Sequence, residues 1–432
     1  MPEKFHDSVE RRASDSTAES EACVIKEERE GGVAAWLTVL GSALVYYASM
    51  GVLNSFGFFN NYYSHDFLQN TPTSTIAFIG TLQIALMNSL AAVSGALCDH
   101  YGVRWLYAGA GSGTAAGLLI LSFAQPGCFW QVFLVQGLLV GFAAAFGAQP
   151  ALTVVGQHFK QQRAVAMGFV AAGSALGGIG FPLMFESLLP LLGFQWMLRV
   201  AALKVAVIYL VAIAISTSKP IGKIQHRDCG SLIDFRGFFD IRYAVLCVGG
   251  FFAQLGQWIP SYYIKMYTNA AYPGNSVSEY FLPVLNGCSI LGAVLGGFLG
   301  DHLGRLNLLW PIVMFTGCIC IFIWLLIDSL AATVLFVCLY GFGTGIFTAL
   351  LPSVVGQITP DENLGARVGA FYSVVAIASL VGTPIGSALI TTDDKREGYW
   401  WLIVFSGTAI TIGSLFMLSS RLLHDKNLRK KW

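Results

Sequence analysis

Along the chain, apolar stretches of about 20 residues alternate with short polar breaks. That is the length of helix needed to cross a hydrocarbon layer of about 30 Å. Twelve such segments can be counted. The first opens after Glu30-Gly-Gly and runs to about Phe59, and the next three lie near 76–97, 105–123 and 132–155. Segment 5 opens after Lys160 and ends near Glu186, and segment 6 follows at 194–215. Segments 7 to 12 lie near 241–264, 278–300, 306–327, 332–353, 366–390 and 400–420. The pattern predicts an all-α integral membrane protein with twelve transmembrane helices.

Composition removes the alternative that length alone would suggest. A 432-residue chain would ordinarily be two or three soluble domains, but 55% hydrophobic and 11% charged residues place it with membrane proteins. The mean hydropathy of +0.64 agrees. The net charge of +1 says little, whereas its distribution says more. With the amino terminus in the cytosol, all but five of the 25 Lys and Arg fall in the tails and inner loops. The exceptions are Lys265, Lys395 and Arg396 in outer loops, and Arg199 and Lys204 in segment 6. This positive-inside asymmetry puts both termini in the cytosol and calls for no nucleic-acid partner.

The polar stretches divide the chain. Residues 1–30 carry nine Asp and Glu against five Lys and Arg, with little that can pack, and read as a disordered cytosolic tail without the apolar core of a signal peptide. Residues 217–240, with Lys219, Lys223, Arg227 and Arg236, read as a cytosolic loop between a six-helix half at 31–216 and another at 241–420. Residues 421–432 form a basic cytosolic tail. The nine cysteines have no ligand spacing and read as small buried hydrophobes, with no metal, cofactor or disulfide framework. Glycines 109, 113 and 117 lack the strand and final glycine of a phosphate loop and read as a close-packing face, as do Gly292, Gly296 and Gly300.

The two halves echo each other. Gly95, Asp99 and Gly102 return as Gly297, Asp301 and Gly304, 202 positions later. Gly141, Pro150, Gly180 and Pro182 return at the same offset as Gly343, Pro352, Gly382 and Pro384. Val154-Val-Gly-Gln157 returns as Val354-Val-Gly-Gln357 at an offset of 200. The chain reads as two copies of one six-helix unit.

The repeated motif carries a resemblance. Gly95-x-Leu-x-Asp99-x-x-Gly102-x-Arg104 between segments 2 and 3, and Gly297 to Asp301, Gly304 and Arg305 between segments 8 and 9, resemble the loop signature of the major facilitator superfamily. In that family the loop acts as a conformational hinge, whose Asp caps a helix or pairs with a base. Glu30, Gly31, Gly32 and Trp36 opening segment 1, with Phe159, Lys160, Arg163, Gly168 and Gly173 opening segment 5, are similar to the two signatures of the monocarboxylate porter family in its fungal form. Segment 5 has Gly-Phe-Pro where antiporter subfamilies have Gly-Pro, so that motif does not support antiport.

The resemblance implies a substrate cavity between the halves and access alternating between the two sides. Candidate lining residues are Tyr46, Tyr47, Asn54, Gln83, Gln149, Gln254, Gln257, Trp258, Asn286, Tyr340 and Thr344, each equally suited to an interhelical hydrogen bond. Arg199, near the outer end of segment 6, is a further candidate and a partner for Glu186. Lys204, near mid-membrane, reads either as a functional charge or as a snorkelling one. The family often places an Arg in segment 8 where this chain has Ala293, and a Lys in segment 1 of its animal members where it has Asn54. Without those cations a small carboxylate is a poor cargo, so the expected activity is efflux of a larger fungal metabolite. The alternatives are proton-coupled uptake of a monocarboxylate or vitamin, and a nutrient-sensing transceptor. No Asp or Glu lies near mid-membrane to relay protons, since Glu186, Glu279 and Asp328 fall towards the outer ends. His65, His100, His158 and His302 read as loop residues, and no catalytic constellation appears, so the chain is not read as an enzyme. The partners implied are a small organic substrate, with a proton where coupling exists, and the lipid bilayer around a monomer in the plasma membrane.

Overall fold

The computed structural model describes residues 31–218, 235–274, 280–359, 364–391 and 395–425. The readings made for residues 1–30, Glu30 among them, for Glu279, for most of the inter-repeat loop and for the last seven residues lie outside these.

Among the described residues the protein is all helical. In order these are α1 (Val33–Tyr62), α2 (Thr73–Ser89 with Ala91–Tyr101), α3 (Val103–Leu121), α4 (Phe129–His158), α5 (163–192) and α6 (194–215). They continue as α7 (Ile241–Ala271), α8 (Phe281–Leu303), α9 (Arg305–Leu325), α10 (Leu330–Ile358), α11 (Leu364–Ala388) and α12 (Trp400–His424). A helix satisfies its own backbone hydrogen bonds, which hydrocarbon cannot do for it. Length and hydropathy alone mark eight of these stretches as spans, or nine with α2, which bends by 44° at Leu90. The count rises to twelve for physical reasons. α5 and α6 run on as 53 helical residues but turn at Gly193, whose φ of 73° suits glycine, and glycines in α3 and Gln and Tyr in α7 dilute their hydropathy.

The helix ends depart from the expected limits. α1 passes Phe59 and continues into a π-helical turn at Tyr63–Phe67, and a 3-10 turn, Phe235–Phe239, occupies part of the expected loop. α12 runs beyond residue 420, so Arg421 is a fully buried helix residue and not part of a tail; it bonds Asn307 and the Asp425 carbonyl. His100, His158 and His302 sit at the last turns of α2, α4 and α8, and so are helical.

Two apolar cores form, one from Ala35 to Ala212 and one drawn almost wholly from Tyr243 to Met417. Small residues bring helices together. Cβ atoms at Gly173 and Gly177 in α5 would overlap the Ala43 and Tyr47 carbonyls of α1, and Gly292, Gly296 and Gly300 of α8 lie against Phe342, Ile346 and Leu350 of α10. In α3, Gly113 and Gly117 meet Ala143 and Val140, but Gly109 meets nothing, so the expected stripe is shorter by one. The seven described cysteines are free; Cys98, Cys247 and Cys320 are buried and the other four only half-buried.

Candidate functional site

α1 begins and α12 ends at one face of the bundle, the terminal face. There the α2–α3 and α8–α9 turns pivot on Gly102 (φ 75°) and Gly304 (φ 101°), conformations that a side chain would strain. Equivalent glycines at equivalent turns place the two repeated motifs in matching positions.

Asp301 accepts from the backbone N–H groups of Ala164 (3.2 Å) and Val165 (2.9 Å), two of the unpaired donors at the start of α5. Arg305 pairs with Asp301 at 2.8 Å and donates to the carbonyls of Lys160 (2.7 Å) and Gln161 (3.0 Å). One carboxylate and one guanidinium thus bind the α8–α9 turn to the α4–α5 turn with charge-assisted bonds. In the other copy, Asp99 accepts from Gln157 Nε2 at 3.0 Å, and Arg104 donates to the Ser216 carbonyl at 3.3 Å. Gln157 was not among the candidates, although the repeated Val-Val-Gly-Gln was a signal for it.

The helices below these turns are equally close. Cβ atoms at Gly168 and Gly297 would overlap the carbonyls of Ala293 and Ala164, which ties α5 to α8; one at Gly369 would overlap Ala91 and Ala92, which ties α11 to α2. Gly95 lies buried in α2 on the same stretch. The signature residues converge beside this contact. Trp36 packs edge-to-face on Phe159 (5.1 Å) and Phe169 (5.8 Å), with Gly31 against both Trp36 and Phe159, and Gly32 caps α1. Arg163, only 3% exposed, donates to the carbonyls of Gly156 and Phe159, both at 3.0 Å, and closes the end of α4.

The cavity candidates fall into three groups. Gln83 is 1% exposed, with neither amide atom partnered among the described residues, and the Gln149 and Trp258 donors are likewise orphaned. Tyr46 is buried within electrostatic reach of Tyr107 and Tyr372, while Asn54, Gln254 and Gln257 are half-buried. A second group has its side chains engaged. Tyr340 is fully buried and donates to the Gln257 carbonyl at 2.5 Å, joining α10 to α7; Asn286 donates to Leu282 at 3.1 Å beside Gly178; Thr344 donates to Gly341 at 2.9 Å. Arg199 stands apart from both, at the end of α6 far from the termini. It lies over Trp196 (4.6 Å) and Phe123 (5.1 Å) and donates to Ser122, and Glu186 is exposed without pairing to it. Ala293 is 1% exposed, clustered with Ala171 and Ala349 where α5, α8 and α10 meet, which leaves an arginine no space. Tyr262 and Tyr372, absent from the candidates, come from the second half and pack against the core of the first. Lys204 reaches the rings of Phe181 (4.2 Å) and Tyr47 (5.0 Å).

The sequence profile of the Major Facilitator Superfamily matches residues 34–287 and 246–431. The chain belongs to that superfamily. Its members are transporters, and as one of them the chain is a multi-pass membrane protein and not an enzyme. It is 30% identical over 395 residues to the MFS transporter asaE of Aspergillus flavus, covering 91% of this chain and 88% of that protein. It is 30% identical to the fujikurins efflux protein of Gibberella fujikuroi (93% and 85% covered) and to the agnestins efflux protein AgnL12 of Paecilomyces divaricatus (89% and 87% covered). Two solved structures share the fold: the human organic anion transporter MFSD10 (TETRAN), with a TM-score of 0.68 and 14% identity, and a bacterial homologue of the iron transporter ferroportin in its outward-facing state, with 0.69 and 14%. Each covers 90% of this chain and is itself 99% covered.

Proposed function

We propose that this superfamily member exports an organic molecule of the secondary-metabolite class by alternating access, with Asp301 and Arg305 holding the two halves closed at the terminal face. The observation that carries this reading is the charge inventory of the helices. Through the middle of the described spans the one charged side chain is Lys204, on α6; every other charge lies towards a helix end. The larger polar side chains buried on α1, α2 and α4 include Tyr46, Gln83 and Gln149, all uncharged. Such a lining solvates an uncharged organic molecule and leaves the desolvation of a small carboxylate unrepaid. Several fungal relatives are named as efflux proteins, which points the same way. The entry signatures favour placement within the superfamily in the fungal monocarboxylate-porter type.

The distribution of Lys and Arg supports a cytosolic terminal face, and we take the membrane to be the plasma membrane. No mid-span carboxylate is present among the described residues to relay protons. Asp328, an end carboxylate, is held by Arg396 at 3.2 Å. The test is flux in yeast expressing the protein, at external pH 5 and pH 7, comparing labelled lactate and pyruvate with a panel of larger metabolites. Lower cell retention of one larger compound, with no uptake of the small acids, is expected. Acid-stimulated uptake of lactate or pyruvate would overturn the reading.

A further inference from the structure

Lys204 lies midway along α6, about 15 Å from either end of that helix at 1.5 Å per residue. Neighbouring positions face outward: Leu203 is 67% and Val207 51% exposed, as lipid-facing residues are. Beside the lysine runs an open groove of about 580 Å³ between α1 and α6, walled by Leu44, Val200, Leu203, Val207 and Ile208. Its floor at the ammonium is aromatic, with Nζ over Phe181 of α5 and Tyr47 of α1. Among the described residues no carboxylate pairs with Nζ and no side chain accepts a hydrogen bond from it. A charge at this depth is expensive, and ring faces supply only part of what water would.

We propose that the groove binds a long-chain carboxylic acid from the bilayer, its carboxylate on Lys204 Nζ and its hydrocarbon chain along the apolar walls. Charge complementarity selects an anion, and the walls select an alkyl chain. Depth selects the acid over a phospholipid, because a phosphate stays at the interface, about 15 Å from the lysine. A weak acid takes up a proton to enter hydrocarbon and releases it to water as its carboxylate meets the ammonium, whereas a phosphodiester stays ionised. This site lies on the bilayer side of α1 and α6 and does not depend on the efflux reading.

The test uses the full chain in phosphatidylcholine nanodiscs and spin-labelled stearic acid, with its methyl ester as the uncharged control. The acid should bind the wild type about ten-fold or more tightly than the ester, as expected of one charge-assisted contact. Lys204→Met should bring the acid to the ester's level, and Lys204→Arg should keep the preference. Leu203→Trp, at an exposed position that tolerates bulk, should weaken both probes by filling the groove and tests the site even if Lys204→Met does not fold. Equal binding of acid and ester by the wild type, or an undiminished preference in Lys204→Met, overturns the proposal. Displacement of the label by phosphatidic acid as readily as by unlabelled stearic acid also overturns it.

Discussion

At the scale of single residues, Arg163 shows what a short basic motif does physically. Its guanidinium is buried and spans two carbonyls at the end of α4, which leaves the following Lys160 and Gln161 carbonyls aimed at Arg305. A lysine cannot reproduce that fork. Arg163→Lys should therefore cost about 2–3 kcal/mol, read as a lower melting temperature in detergent; an unchanged melting temperature would remove the capping role. Asp301 works on the same loop from the other half. Asp301→Asn keeps the size but loses the ion pair and weakens two helix-start bonds, and should slow transport at least several-fold while the protein still folds. Asp99→Asn should slow it too, since Asp99 is engaged through Gln157 in the matching turn. Full transport by both variants would dissociate these turns from the cycle.

Elements explain which of these roles could be foreseen. Spacing alone gave the twelve segments and the repeated turns, because apolar length and paired Gly and Asp positions are properties of sequence. Helix rotation is not. Whether Tyr340 offers its hydroxyl to a cavity or gives it to the Gln257 carbonyl depends on how α10 is turned against α7, and nothing in the local pattern fixes that. The sequence places Arg199 near the outer end of segment 6 beside Glu186, and at that end the guanidinium rests on Trp196 and Phe123 instead of pairing with the carboxylate. Tyr262 and Tyr372 were overlooked because aromatic residues in apolar helices are common, and only packing between halves distinguishes them. Ala293 is the sharpest case. Its sequence position suggested a missing substrate cation, whereas its packing between α5 and α10 makes it a contact point. Ala293→Arg should thus abolish transport of any cargo by forcing α5 and α8 apart, and Gly168→Val should do the same from the facing helix. A gain of carboxylate transport in Ala293→Arg would show that this side chain faces a cavity.

Over the whole molecule, two similar six-helix units meet in two close helix pairs, α5 with α8 and α2 with α11, beneath a terminal face held by polar turns. The central claim is that Asp301 and Arg305 hold that face closed and that their release opens it while the opposite face closes. Spin labels give the most direct test, on exposed Lys160 and His302 at the terminal face and on exposed Ser187 and Tyr280 at the other, with the native cysteines replaced. In the wild type the Lys160–His302 distance should be short and narrowly distributed. In Asp301→Asn a longer population should appear there, with a matching shorter one between Ser187 and Tyr280. Identical distributions at both faces in the two proteins would contradict the account.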